Sequence, residues 1–368
     1  MIFDRRSLGA LSAVSAAFLF FLTFVVSSTM TSTSNAATRE APPAPTPPPA
    51  RLGAAQTFSK AEADAAIRYW TRERMASAKP VNMWSRPDQD GGTARHPAPA
   101  SEAHGFLGGQ APASSGGAPS LAPSEGYWQR STTAAPARTI GKLFFQTWIP
   151  SRGRYENSVC SAAVISAENR STVWTAGHCV YNTYSNLWNR TYMFCPGYRD
   201  NNGVPRETAD CPLGRWTAQY QNTTAQWKSS VCNPAGSCTH REFDYDFGAL
   251  KIYPQGGQSI QSRTGSHVLR YNIQIADHYD FGYPQDPPFT GRYLYVCMAT
   301  NLMQHGHLRQ PCGMTGGASG GPWLSNFNSG WRGYLNSVNS HGGRASGYMD
   351  GPFQGRVSQL LYNSMRNL

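Results

Sequence analysis

The chain has 368 residues, room for two domains, yet only 14% are charged while glycine (36) and proline (26) abound. That texture excludes a mostly helical protein and favours a loop-rich β domain joined to an unstructured segment. The formal net charge is +11, but the arginines are scattered and no nucleic-acid motif is present, so the charge speaks to association with acidic surfaces rather than to nucleic acid as a partner.

Residues 1–36 read as an export signal. Arg5 and Arg6 form a positive start, residues 8–26 an apolar stretch, and Ser34-Asn35-Ala36 a small-residue cleavage site. The apolar stretch is also long enough to span a bilayer, which makes a retained membrane anchor the alternative. Arg5-Arg6-Ser7-Leu8 faintly resembles a twin-arginine signal. Either route takes the bulk of the chain out of the cytoplasm, to a secreted location with cell-wall or membrane anchoring as options.

Residues 37–138 offer little for a core. Ala41-Pro42-Pro43-Ala44-Pro45-Thr46-Pro47-Pro48-Pro49 is a stiff, extended linker. Within 59–76 a helix is predicted: Ser59 and Glu62 make a capping box, and Ala63, Ala66, Ile67 and Trp70 share one face. Glycine, alanine, serine and proline dominate 101–137, a composition that buries too little apolar area to offset ordering entropy. The whole of 37–138 therefore reads as a mostly disordered pro-segment or linker, with removal after Arg138 as one option.

From Thr139 the texture changes. Ile140-Gly141-Lys142-Leu143-Phe144-Phe145 opens a series of short β-branched or aromatic runs, among them 160–166, 171–175, 247–252, 293–298 and 334–338. Many short strands with turn punctuation predict an all-β sandwich or barrel. Val357, Leu360, Leu361 and Met365 then predict a closing amphipathic helix. The eight cysteines, at 160, 179, 195, 211, 232, 238, 297 and 312, all lie in this part. An even number in an exported chain implies disulfides. A zinc site is not expected: Cys232 and Cys238 are too widely spaced for a knuckle, and His305-Gly306-His307 has no obvious partners in the sequence. No metal or other cofactor is implied.

Amide hydrolysis by serine needs a hydroxyl, a base, an acid that orients the base, and backbone donors for the oxyanion. His178 stands in Thr175-Ala176-Gly177-His178-Cys179, just beyond a strand. Ser319 stands in Thr315-Gly316-Gly317-Ala318-Ser319-Gly320-Gly321-Pro322, whose glycines allow a sharp turn and let the Gly317 and Ser319 amides converge. Asp246, directly before an apolar strand, is the acid; Asp244 is its rival. Gly317-Ala318-Ser319-Gly320-Gly321 also fits the nucleophile elbow of α/β-hydrolases, but those order the triad Ser, acid, His. After Ser319 come only His341 and then Asp350, the wrong order. His178, Asp246, Ser319 follows the other arrangement.

At these residues the chain resembles the chymotrypsin-like serine peptidases: Thr175 to Cys179 matches their T-A-[AG]-H-C motif and Gly317 to Pro322 their G-D-S-G-G-P. Phe194-Cys195-Pro196-Gly197-Tyr198-Arg199, Gly214-Arg215-Trp216 and Thr315-Gly316-Gly317 are closer to the bacterial branch that includes the glutamyl endopeptidases. The resemblance covers about 139–368. It implies two perpendicular six-stranded β-barrels with a C-terminal helix, preceded by a disordered pro-segment, and a site in the cleft between the barrels. It implies a secreted, monomeric zymogen-derived endopeptidase acting on proteins or peptides; a catalytically silent binding protein on the same fold is the alternative. Disulfides Cys160–Cys179, Cys195–Cys211, Cys232–Cys238 and Cys297–Cys312 are expected, the first bracing the histidine loop.

Two departures matter. Ala318 replaces the aspartate that pairs with the new N-terminus in the animal enzymes, so activation by that salt bridge is ruled out. Gly313 stands where trypsin-type enzymes carry their pocket aspartate. Glutamate-selecting relatives use a Thr or Ser and a His instead. Met314, Thr315, Ser340 and His341 are the substrate-binding candidates, with Ser340-His341-Gly342-Gly343 resembling the strand that pairs with the substrate backbone.

Overall fold

Leu143, Phe144 and Phe145 are consecutive and all fully buried in the strand Ile140–Ile149. A strand whose neighbouring side chains are all buried must be covered on both faces, and the computed structural model shows by what. It describes residues 55–86, 105–108, 120–200, 210–326, 333–343 and 346–368; the export signal and the proline-rich stretch read from the sequence lie outside these. Among the described residues no helix is long and apolar enough to cross a membrane.

Six antiparallel strands make the first barrel: Ile140–Ile149, Arg154–Val164, Thr172–Thr175, Arg190–Pro196, Ala218–Thr223 and Gly248–Ile252. A two-way backbone bridge between Phe194 and Trp216 closes the ring. The second barrel uses Asp277–Gly282, Tyr295–Thr300, His307–Pro311, Pro322–Ser325, Tyr334–Val338 and Tyr348–Pro352. The fold is the trypsin-like double barrel. Its four disulfides are Cys160–Cys179, the one the resemblance implied, and Cys195–Cys211, Cys232–Cys238 and Cys297–Cys312, as expected. The closing helix is Arg356–Met365, but its buried stripe is Ser358, Leu361, Tyr362 and Met365. Leu360 is 59% exposed, because Tyr362, which reaches the Ser166 carbonyl at 3.1 Å, shifts the packed face.

The outer face of the first barrel is covered by residues assigned above to the pro-segment. Ser59 caps the helix Lys60–Tyr69 in the predicted box with Glu62. Ala63 and Ala66 then face the barrel, and Trp70 is fully buried against Phe144, its indole N–H donating to the Thr191 carbonyl at 2.6 Å. Residues 55–86 are thus part of the fold, contrary to the reading of this stretch as mostly disordered. Composition missed them because a few large anchors, Phe58, Trp70 and Met75, bury themselves on a surface made elsewhere. Residues 120–138 are folded too: the strand Ser124–Tyr127 pairs with Tyr295–Thr300. Arg138 lies in the 3-10 turn Ala137–Thr139 between buried neighbours, so the bond after it is a poor place for a protease to cut.

Lys142 interrupts the apolar run and is only 3% exposed. Its ammonium donates to Gln285 Oε1 at 2.6 Å and to the Gly291 carbonyl at 2.9 Å. Burial pushes its pKa down to about 7, opposed in part by the charge of Asp200. Above pH 7 the unfolded chain therefore binds more protons at this lysine than the folded one, and stability rises with pH toward the ordinary lysine value, by at most about 1.4 kcal/mol per pH unit. Denaturant unfolding at pH 7.5 and 9 in a Ser319→Ala background is expected to show this rise; Lys142→Met should flatten it.

Candidate active site

The strand Thr172–Thr175 hands the chain to a 3-10 turn, Gly177–Cys179. Residue 177 must be glycine: a Cβ there would sit 2.8 Å from Trp227 Cδ1 and 3.0 Å from Asp246 Oδ1. The Cys160–Cys179 disulfide ties the turn to the neighbouring strand, which holds the His178 ring in place. Asp246, between the helix His240–Phe243 and the strand Gly248–Ile252, is fully buried. Its Oδ1 accepts from the His178 backbone N–H at 2.8 Å, and its Oδ2 from His178 Nδ1 at 2.8 Å and from Ser340 Oγ at 2.6 Å. An ionised carboxylate only accepts, so the proton sits on Nδ1 and Nε2 keeps its lone pair. Nε2 is buried and has no hydrogen-bond partner among the described residues. Asp244 points elsewhere, with Oδ1 2.8 Å from His307 Nε2.

The glycine loop is set by backbone bonds. The Ser161 N–H donates to the Ser319 carbonyl at 2.7 Å, and Ser161 Oγ to the Gly317 carbonyl at 2.9 Å. The Gly316 carbonyl accepts from the Gln285 N–H at 2.7 Å; the Ala318 carbonyl accepts from the Gly321 N–H at 2.9 Å and Asn339 Nδ2 at 3.1 Å. In a trans peptide the N–H points opposite the C=O. Both carbonyls are turned into the protein, so the Gly317 and Ser319 N–H groups face the other way. Neither donates a hydrogen bond among the described residues. Gly317 has φ +98 and Gly320 φ +78, and a Cβ on Gly320 would strike Thr175 Oγ1 and the Ser161 carbonyl.

Two cavities meet here. One, of about 740 Å³, is lined by His178, Tyr181 and Trp227. The other, of about 440 Å³, is lined by Thr315, Ser319, Ser340, Gly342 and Met349. Val81, Asn82 and Met83 line both, so residues 79–86 cross the cleft like a strap. Lys79–Pro80 pairs in parallel with Ser158 and Val159, and Trp84–Arg86 in parallel with Ser237–Thr239. Asn82 Nδ2 donates to Asp286 Oδ2 at 2.9 Å, and Gln285 Nε2 to the Ala78 carbonyl at 2.5 Å.

The four substrate-binding candidates are placed as follows. Met314 is fully buried in the second barrel's core with Ala318 and Trp323. Thr315 Oγ1 donates to the Asp286 carbonyl at 2.9 Å. Ser340 is spent on Asp246, a positioning role that sequence spacing did not signal. The His341 ring stacks on Phe243 at 3.9 Å, and burial, then the nearby His307, His240, Arg309 and His178, holds its pKa well below the ordinary histidine value. Among the described residues no lysine or arginine lines the smaller cavity; His341 does.

No protein-family model matches the sequence, and no curated protein matches it. Solved structures do. The protease Anisep from Arthrobacter nicotinovorans is 33% identical over 63% of this chain and 97% of its own, with a TM-score of 0.53. The thermostable serine protease AL20 from an extremophilic microorganism is 30% identical over 62% and 97%, with a TM-score of 0.52. A Glu endopeptidase matches at 18% identity over 66% and 97%, with a TM-score of 0.49.

Proposed function

Because the chain belongs to the chymotrypsin-like serine peptidases, we propose that it is an exported endopeptidase with Ser319 as nucleophile, His178 as base and Asp246 as orienting acid. The observation that carries this reading is the carboxylate of Asp246 held on both His178 nitrogens, backbone and Nδ1, by 2.8 Å bonds. Ser319 Oγ attacks the scissile carbonyl while His178 Nε2 takes its proton. The imidazolium that forms is stabilised by the buried Asp246, and the alkoxide by the Gly317 and Ser319 N–H groups. His178 then returns the proton to the leaving amine, and water repeats the sequence on the acyl-enzyme.

The substrates are proteins or peptides, and the four disulfides support an extracellular site of action. Residues 79–86 supply latency by lying where substrate must lie. Scission within 109–119, Gly109-Gln110-Ala111-Pro112-Ala113-Ser114-Ser115-Gly116-Gly117-Ala118-Pro119, would free the strap and keep the strand Ser124–Tyr127 in place. An organophosphonate probe tests the assignment. Covalent mass should appear on the peptide carrying Ser319 after the strap is removed, and be absent from Ser319→Ala. A released, folded chain that stays unlabelled would mean a silent binding protein.

A further inference from the structure

Four of the chain's nine histidines gather beside the strand that follows Ser340, and one of them, His341, also lines the smaller cavity. His240 opens the helix His240–Phe243, His307 opens the strand His307–Pro311, and His341 opens the strand His341–Gly343. His305 precedes them in the two-residue turn of a hairpin, with φ +51 followed by φ +84 at Gly306. That is the pattern of a tight turn between twisted strands, and it lifts His305 onto the face of His240 at 4.5 Å. The ring of His307 meets that of His341 edge-on at 5.2 Å.

One nitrogen from each of His240, His307 and His341 lies within 4.8 Å of the other two. Tetrahedral zinc with bonds of about 2.0–2.1 Å needs its nitrogens about 3.3 Å apart, so binding would draw the three rings closer. Asp244 Oδ1 lies 2.8 Å from His307 Nε2, so a carboxylate stands against one ring of the trio. His307 and His341 are 1% and 4% exposed, while the half-buried His240 forms the open side through which an ion can enter. A neighbouring cation, Arg309, is held in a two-pronged pair with Asp350 at 2.6 Å per bond.

Buried histidines in a core are normally satisfied by protein partners. His267 shows this, with Nε2 2.6 Å from Thr139 Oγ1 and Nδ1 3.1 Å from the Gly333 carbonyl. His341 Nε2 is different: it is buried with no hydrogen-bond partner among the described residues, 3.6 Å from the Asp350 carboxylate, and its ring packs near those of His240 and His307. Imidazole rings packed on one another, with a carboxylate beside them, suit a borderline divalent ion better than they suit each other.

We propose that His240, His307 and His341 form a binding site for one Zn²⁺ ion, with Asp244 orienting the His307 ring from beside it. The site joins three separate stretches of chain: the segment leading to Asp246, the 302–311 hairpin, and the strand that begins next to Ser340. An ion there would lock the wall behind Ser340 without touching Ser319.

Titration of the full chain, in a Ser319→Ala background to prevent self-digestion, with Zn²⁺ against a chromogenic chelator tests this. One ion per chain is expected, with a rise in melting temperature. His240→Ala, at the open side and so least harmful to folding, should weaken binding at least about 100-fold and remove the thermal shift. His305→Ala, which removes only the stacked neighbour, should keep stoichiometric binding. Absence of stoichiometric binding in the parent, or equal binding by a folded His240→Ala chain, would overturn the proposal.

Discussion

Asp246→Asn is expected to lower kcat for peptide hydrolysis about 10⁴-fold with little change in KM. Asp246 accepts three hydrogen bonds, two of them from His178. An amide has one accepting oxygen and one donating nitrogen. If the nitrogen faces the ring, His178 must present a bare Nδ1 and carry its proton on Nε2, where it cannot take one from Ser319. If it faces the backbone N–H instead, two donors meet in a buried place, at a cost of about 1–3 kcal/mol, and Ser340 loses nothing. The first arrangement removes catalysis, and the second strains the turn that holds His178. In both the charge that stabilises the imidazolium is gone. Steady-state kinetics with a chromogenic peptide, beside a melting curve showing an intact fold, measure the effect. A fall of less than about tenfold would remove Asp246 from the triad.

Cutting the chain within 109–119 should raise hydrolysis of a short chromogenic peptide by about 10²-fold or more, and the rise should grow on dilution. While the chain is intact, the strap competes with substrate at an effective concentration of the order of millimolar; once cut it competes only at the protein's own concentration. An inserted recognition sequence for an exogenous protease makes the cut controllable. Asn82→Ala, which loses the bond to Asp286, should give partial activity in the uncut chain. If the uncut protein already turns over at the rate of the cut and diluted one, the strap is not inhibitory.

Most of the candidate site was legible in the sequence because its parts are local. The histidine motif, the glycine loop and their order along the chain point to the proposed nucleophile and base, and to the fold, without a single contact. Ser340 was legible only as a member of a substrate strand, since its bond to Asp246 spans 94 residues and leaves no local pattern. The same holds for the histidines: His305-Gly306-His307 looked isolated because its neighbours, His240 and His341, arrive from a distant helix and a distant strand. The segment 55–86 was misread for a different reason. Its own composition is poor, yet the run Leu143-Phe144-Phe145 already required a cover on the outside of the first barrel, and Trp70 is part of that cover.

That cover also has edges. Gln56–Thr57 pairs with the strand Ala218–Thr223, and Gly105–Leu107 with Val268–Tyr271. When residues up to 108 depart, the backbone amides and carbonyls they satisfied become open templates for any extended chain, beside a newly bared aromatic surface at Phe144. A peptidase matured in this way gains its cleft and loses its insulation together. Scission and release of this cover are therefore expected to make the remaining chain self-associate, which sedimentation with and without detergent would detect.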